Sequence, residues 1–219
     1  MKRIILAALA VSSIVVSCKE NNDYIKLTHD PILFSTTEKK LNDIVLENNF
    51  PPVIASRNYV YANIAAYEVV AAGDDSEYTS LAGQIKHMPP MPKPEAGMKI
   101  DFPFAAMIAF CKVGNAVTFP EGSMDAYVEE LKKKVRDAGM PSAVFDNSTA
   151  FANKIADSIL SWSKKDHYAQ LRSASKYTVT NEPGTWVPTP PMYAQAIEPH
   201  WKEMRTMVLD SSSQFMPVR

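Results

Sequence analysis

Apolar side chains recur at helical intervals along most of this chain and alternate along almost none of it. In "TTEKKLNDIVLENNF" (36–50) Leu41, Ile44 and Val45 form a one-sided apolar stripe, with Thr37 as the expected cap and Glu38 and Lys39 in the first turn. Pro51 and Pro52 end that element and open the next, because proline suits a first helical turn. In "PPVIASRNYVYANIAAYEVVAAG" (51–73), Ile54, Tyr61, Ala65 and Val69 share one face, and Val60, Ile64, Tyr67 and Ala71 share another. Two adjacent apolar faces predict a helix buried on most sides, stopped at Gly73. Arg57 and Glu68 interrupt those faces. Buried charges need partners, so each is expected to meet another helix. "PFAAMIAFCKVGNAVTF" (103–119) reads as an almost wholly apolar central helix, and "EGSMDAYVEELKKKVRDAG" (121–139) as an amphipathic one closed by Gly139. Phe151, Ile155, Ile159 and Trp162 recur at helical spacing in the last long segment, 142–168. The pattern predicts five principal helices, no sheet and an all-α bundle. Between them, "YTSLAGQIKHMPPMPKPEAG" (78–97) is expected to hold one short helix and a proline-rich loop.

The helical pattern stops at both ends. Beyond Tyr168 turn residues take over, and "GTWVPTPPMYAQAIEPHW" (184–201) carries four prolines and two tryptophans. The run "YTVTNEPGTWVPTPPMY" (177–193) cannot be regular helix or central strand. A short helix bent at Pro199 is expected within "AQAIEPHWKEMR" (194–205). At the other end Lys2 and Arg3 precede an apolar run from Ile4 to Val16, too short to span a bilayer but suited to a signal peptide. "VVSC" (15–18) resembles a bacterial lipobox, which implies cleavage before Cys18 and its acylation. The expected organisation is a lipoprotein signal peptide (1–17), a polar tether (18–30), a helical bundle (31–176) and a proline/tryptophan-rich connector (177–219). The lipid would attach the protein to a membrane of the bacterial cell envelope, facing the periplasm or in the outer membrane.

Composition narrows the chemistry. With 7 glycines, 11 methionines and a formal net charge of −1 in 219 residues, the chain favours helices and has no electrostatic footprint for nucleic acid. Once Cys18 carries lipid only Cys111 is left, so no intramolecular disulfide forms, and Cys111 lies in an apolar stretch where it reads as a small buried hydrophobe. His29, His87, His167 and His200 show no paired metal-ligand spacing; His200 and Glu203, three apart, are a common chance pair. Asp74-Asp75 and Glu129-Glu130 read as a solvated turn and a helix face. There is no glycine-rich phosphate loop, no G-x-S-x-G and no CxxC. No catalytic, cofactor or metal residue is assigned.

Four segments carry a resemblance: "PPVIASRNYVYANIAAYE" (51–68), "YTSLAGQI" (78–85), "WSKKDHYAQLRSASKYT" (162–178) and "GTWVPTPPMYAQAIEPHW" (184–201). Their order and content resemble the N-terminal half of vanadium-dependent haloperoxidase-like lipoproteins, in the type 2 phosphatidic acid phosphatase superfamily. The likeness covers most of residues 31–217, and W-x-P-T-P-P followed by P-x-W is its most specific piece. It implies an all-α fold of two helical bundles around a phosphate or vanadate site. In the family a lysine, arginines, a P-S-G-H loop and a second histidine build that site. This sequence has no P-S-G-H and no Arg-Pro pair; "SSQFMPVR" (212–219) resembles a Q-F-R-P segment with Met216 in place of arginine. The expectation is therefore a truncated or split haloperoxidase-type protein, inactive alone and completed by a C-terminal half in trans or by self-association. The competing expectation is a non-catalytic binding or interaction lipoprotein. The proline–tryptophan block would then be a mid-chain connector, with Trp186, Tyr193 and Trp201 either exposed or folded back on the first bundle.

Overall fold

The computed structural model describes residues 22–217. Seven α-helices follow one another: α1 (Asp23–Thr28), α2 (Pro31–Glu47), α3 (Pro52–Gly73), α4 (Phe102–Val117), α5 (Asp125–Asp137), α6 (Ser142–Ser163) and α7 (Tyr168–Leu171). A 3₁₀ turn follows at Trp201–Glu203. Among the described residues the only β-type pairing is an isolated bridge between Ala82 and Ile85. The all-α expectation and its five long helices hold.

The apolar α4 is the centre. It packs along α3 on one side and α6 on the other, with α2 and α5 alongside. Phe104, Ala105, Ala109, Cys111 and Val113 on it are wholly buried. Its start is fixed by a buried polar knot. The Asp101 carboxylate caps the helix by accepting from the Phe104 N–H at 2.9 Å and also accepts from the Thr28 hydroxyl at 2.9 Å, while the Asp101 N–H donates to Ser148 Oγ at 2.9 Å. One residue thus ties α1, α4 and α6 together, through its carboxylate and its backbone N–H. Gly73 ends α3 against Phe102, where an added Cβ would lie 2.5 Å from the ring's Cγ.

Several local expectations are corrected. Helix α2 starts at Pro31, six residues before the expected cap, because Asp30 accepts from the Ile32 N–H at 2.9 Å and Pro31 fills the first turn. Thr37 is therefore interior: its hydroxyl lies 2.9 Å from the Leu33 carbonyl and 2.7 Å from the Tyr127 hydroxyl. The described part of the 18–30 stretch is not a free tether. Helix α1 buries Tyr24 and Thr28, and the Tyr24 N–H donates to the Ala138 carbonyl at 3.0 Å. Residues 78–97 contain turns and no helix. Their anchor is Glu68, which accepts from the Leu81 N–H at 2.7 Å and the Ser80 hydroxyl at 2.8 Å. Glu68 thus meets a loop, not the second helix expected for it; backbone donors satisfy a buried carboxylate as well as a cation does. In 194–205 no bent helix forms, only the 3₁₀ turn.

Candidate functional site

The place where the bundle hands over to its C-terminal segment holds the densest buried chemistry. Helix α6 ends at Ser163, and three residues later Asp166 turns inward until it is 1 % exposed. Its Oδ2 accepts from Arg57 Nε at 2.7 Å and from the Tyr61 hydroxyl at 2.9 Å; its Oδ1 accepts from the Tyr168 N–H at 2.9 Å. Arg57 therefore has its partner just beyond a helix end rather than on a helix. The Arg57 guanidinium also lies over the Tyr168 ring at 4.3 Å and the Tyr61 ring at 5.0 Å. Burial, and then the Asp166 charge, push the Tyr61 hydroxyl far above its ordinary range, so it stays a neutral donor.

A second arginine joins from the segment beyond the proline block. Arg205 donates from Nη2 to the Tyr61 hydroxyl at 2.8 Å and from Nη1 to the Trp162 carbonyl at 3.0 Å, and its guanidinium lies 4.2 Å from the Trp162 ring centre. The Arg205 N–H donates to the Asp166 carbonyl at 3.0 Å, and the Lys86 N–H donates to the Met207 carbonyl at 2.9 Å. Residues 204–207 are thus fastened to the bundle. The proline block itself is only lightly held. Tyr177 and Trp186 pack ring to ring at 5.6 Å, Arg172 pairs with Glu198 at 3.0 Å, and Trp201 meets Tyr168 at 6.3 Å. Trp201 thus folds back, half-buried, whereas Trp186 and Tyr193 stay exposed. Met192 is 84 % exposed and Phe215 78 %.

The histidines do not converge on one centre. His29 is exposed at the end of α1. His87 and His167, both at positive φ, border an open cavity of about 450 Å³ together with Lys86, Lys165, Asp166 and Arg205. His200 lies in the C-terminal segment between two acceptors, Glu203 Oε1 at 2.8 Å from Nδ1 and the Ser175 carbonyl at 2.8 Å from Nε2. Both bonds form fully only when both ring nitrogens carry protons. The Glu203 bond, and then the Ser175 bond, accordingly raise the His200 pKa, and the same pairing lowers that of Glu203. Sequence spacing reads this as a chance pair; the structure makes it a hydrogen-bonded one with a third partner. Cys111 is buried on α4, which pushes its thiol up to about 12. Asp74 caps a turn, accepting from the Ser76 hydroxyl at 2.7 Å, while Glu129 and Glu130 pair with Lys132 and Lys134 on the exposed face of α5. Cys18 lies outside the described residues.

These residues do not fit a bound vanadate or phosphate of the kind the resemblance implies. In the cavity beside His87 and His167, both terminal nitrogens of Arg205 are already engaged by protein oxygens, and Lys86 pairs with Asp210 at 3.3 Å. Asp166, Glu203 and Asp210 add carboxylates to the same walls, which would repel an oxyanion. Among the described residues no three His, Cys, Asp or Glu side chains are grouped to hold a metal ion. No catalytic step is derived from them.

The bundle defined by α2–α6, with its proline–tryptophan exit, has a haloperoxidase-like fold. The comparison that shows it is with the crystal structure of a protein described as the first bacterial vanadium-dependent iodoperoxidase. The two superpose with a TM-score of 0.78 and share 38 % sequence identity, covering 84 % of this chain and 44 % of that one. The chain thus spans less than half the length of that protein. No family model and no curated protein sequence matches the chain.

Proposed function

We propose that this chain is the non-catalytic helical half of a vanadium-dependent haloperoxidase- or phosphatidic acid phosphatase-type protein, carried as an exported lipoprotein of the bacterial cell envelope. The observation that carries this reading is the 38 % identity to an iodoperoxidase over 84 % of the chain, joined to a sequence without P-S-G-H or Arg-Pro. Transition states of phosphoryl transfer and of peroxide activation on vanadate need a cationic cradle, and each preorganised donor in such a site contributes roughly 3–4 kcal/mol. A scaffold lacking all of them has no measurable turnover.

The exposed apolar groups of 186–216 suit a surface that packs against a second helical unit. The test is iodide oxidation by peroxide with added vanadate, together with phosphate ester hydrolysis, using the purified chain. Neither is expected from the chain alone. Activity is expected once the catalytic half of the iodoperoxidase is supplied in trans. Vanadate-dependent turnover by the isolated chain would overturn the reading. The envelope assignment rests on Lys2, Arg3, the 4–16 apolar run and Cys18. Its test is acyl labelling, which Cys18→Ser should abolish; an unlabelled, freely soluble wild type would overturn it.

The second reading, a non-catalytic binding lipoprotein, is favoured by one observation: Arg205 and Met207 already fold back onto the bundle. Persistent monomers with no response to the second half would shift the reading that way.

A further inference from the structure

Between the first turns of α3 and the 201–212 segment lies an open cavity of about 620 Å³. Its walls are apolar, including Val60, Met207 and Leu209, and its charged lining is cationic: Arg57, Lys202 and Arg205. No carboxylate lines it among the described residues. Asp166, the one acid bonded to Arg57, is not part of the wall and engages only the Nε of that arginine. Arg57 is 9 % exposed, yet neither of its terminal nitrogens has a hydrogen-bond partner among the described residues. Its stacking on Tyr61 and Tyr168 uses the faces of the guanidinium and leaves the outer edge free. Arg205 adds a second positive charge whose Nε has no partner.

The terminal nitrogens of Arg57 are unpartnered among the described residues without being sealed from solvent, and the planar fork of Arg matches a carboxylate best. Two arginines line this apolar chamber: Arg57, on the Asp166 carboxylate through Nε alone, and Arg205, whose guanidinium bonds only neutral oxygens. We propose that this cavity is a binding site for an amphiphilic carboxylate: an anionic head on the free edge of Arg57, with Lys202 and Arg205 supplying long-range attraction, and an apolar body along Val60, Met207 and Leu209. Neither the haloperoxidase-like fold nor the proposed scaffold role requires such a site.

The cavity contains its own reporter, because Trp201 is on its wall. Decanoate titrated into the full chain should change tryptophan fluorescence saturably and raise the melting temperature. Decanol has the same body without the charge and should bind at least about tenfold more weakly, since one charge-assisted bond contributes that much. Acetate, the head without the body, should show no saturable effect. Arg57→Lys keeps the charge beside Asp166 but removes the fork, and should weaken decanoate about tenfold. Because substitutions at Arg57 disturb a buried pair, Leu209→Asp is the second variant. Leu209 is 37 % exposed, so the fold should persist while a built-in carboxylate occupies the site and abolishes decanoate binding. Equal responses to decanoate and decanol, no saturable response, or unchanged binding in a folded Leu209→Asp protein would each overturn the proposal.

Discussion

The bundle of residues 23–171 and the segment of residues 172–217 both carry large apolar side chains, with opposite outcomes. In the bundle, Leu41, Tyr61, Phe104, Ile155, Ile159 and Trp162 are at most 2 % exposed. In the segment, Trp186, Met192, Tyr193, Ile197, Val208 and Phe215 all remain exposed. The difference lies in what the backbone can form. A helix satisfies its own N–H and C=O groups and can bury a face, whereas a proline-rich chain lacks donors and needs an outside surface to cover it. Exposed apolar groups in this number are what packing against the proposed second helical unit would cover. What the segment has instead is a few polar clasps, at Arg205, Lys86 and His200.

Breaking the bundle side of that contrast should have the largest effect. Asp166→Ala strands the Arg57 charge in a site 9 % exposed and removes the acceptor of Tyr61. A cost of about 3–5 kcal/mol is expected in chemical denaturation. The double replacement Arg57→Met with Asp166→Leu should recover much of it, because the pair gains little over apolar packing. Full destabilisation in the double variant would mean that the network, not the uncompensated charge, matters.

Arg205→Ala should come next. It removes bonds to the Trp162 carbonyl and the Tyr61 hydroxyl, and charge-assisted bonds of this kind contribute about 1.5–3 kcal/mol each when buried. The loss should appear locally, as faster proteolysis within 172–217 with the bundle's melting little changed. Equal loss in both regions would show that the two fold as one unit.

A smaller, pH-dependent effect is expected from His200. Its folded pKa is raised by Glu203 and the Ser175 carbonyl, so its contribution is full below the unfolded value of about 6.5 and is lost as pH rises through the folded value. Glu203 has its pKa lowered, so its share is present above the unfolded carboxylate value and is lost only in acid. Protection of 172–203 from protease should therefore fall as pH rises from about 6 to 8. His200→Gln should flatten the profile. Lys202, His167 and Lys176, also near this pair or along the same cavity, stay in place in that variant. A profile unchanged in the Gln variant would assign the effect elsewhere.

The smallest effect on stability belongs to the exposed surface. Met192→Ser and Phe215→Ser should each shift unfolding by no more than about 0.5 kcal/mol, while lowering self-association or capture of a second helical unit. A large loss of stability would place those side chains in the core.

Much of this arrangement was legible in the sequence. The buried faces of 52–73 and 102–117 were written in apolar spacing, and the four segments that resemble haloperoxidase-like proteins pointed to the fold later found by superposition. The missed elements depended on local polar chemistry. Asp30 began α2 early, Glu68 satisfied itself with a loop, and α1 docked although it has only six residues, half of them polar. Such choices turn on one hydrogen bond, which no periodicity reveals.

The sequence by itself determined the five long helices, that the proline-rich run 177–193 is not regular helix, and that Arg57 and Glu68 required partners, because these follow from apolar spacing, covalent geometry and the cost of burying charge. Only the tertiary structure decided that Arg57 and Arg205, 148 positions apart, both bond Asp166, one at its carboxylate and one at its backbone carbonyl, and line one cavity. Those distances depend on how α3, the end of α6 and the returning segment pack, and packing is settled by the whole core rather than by any local run of residues.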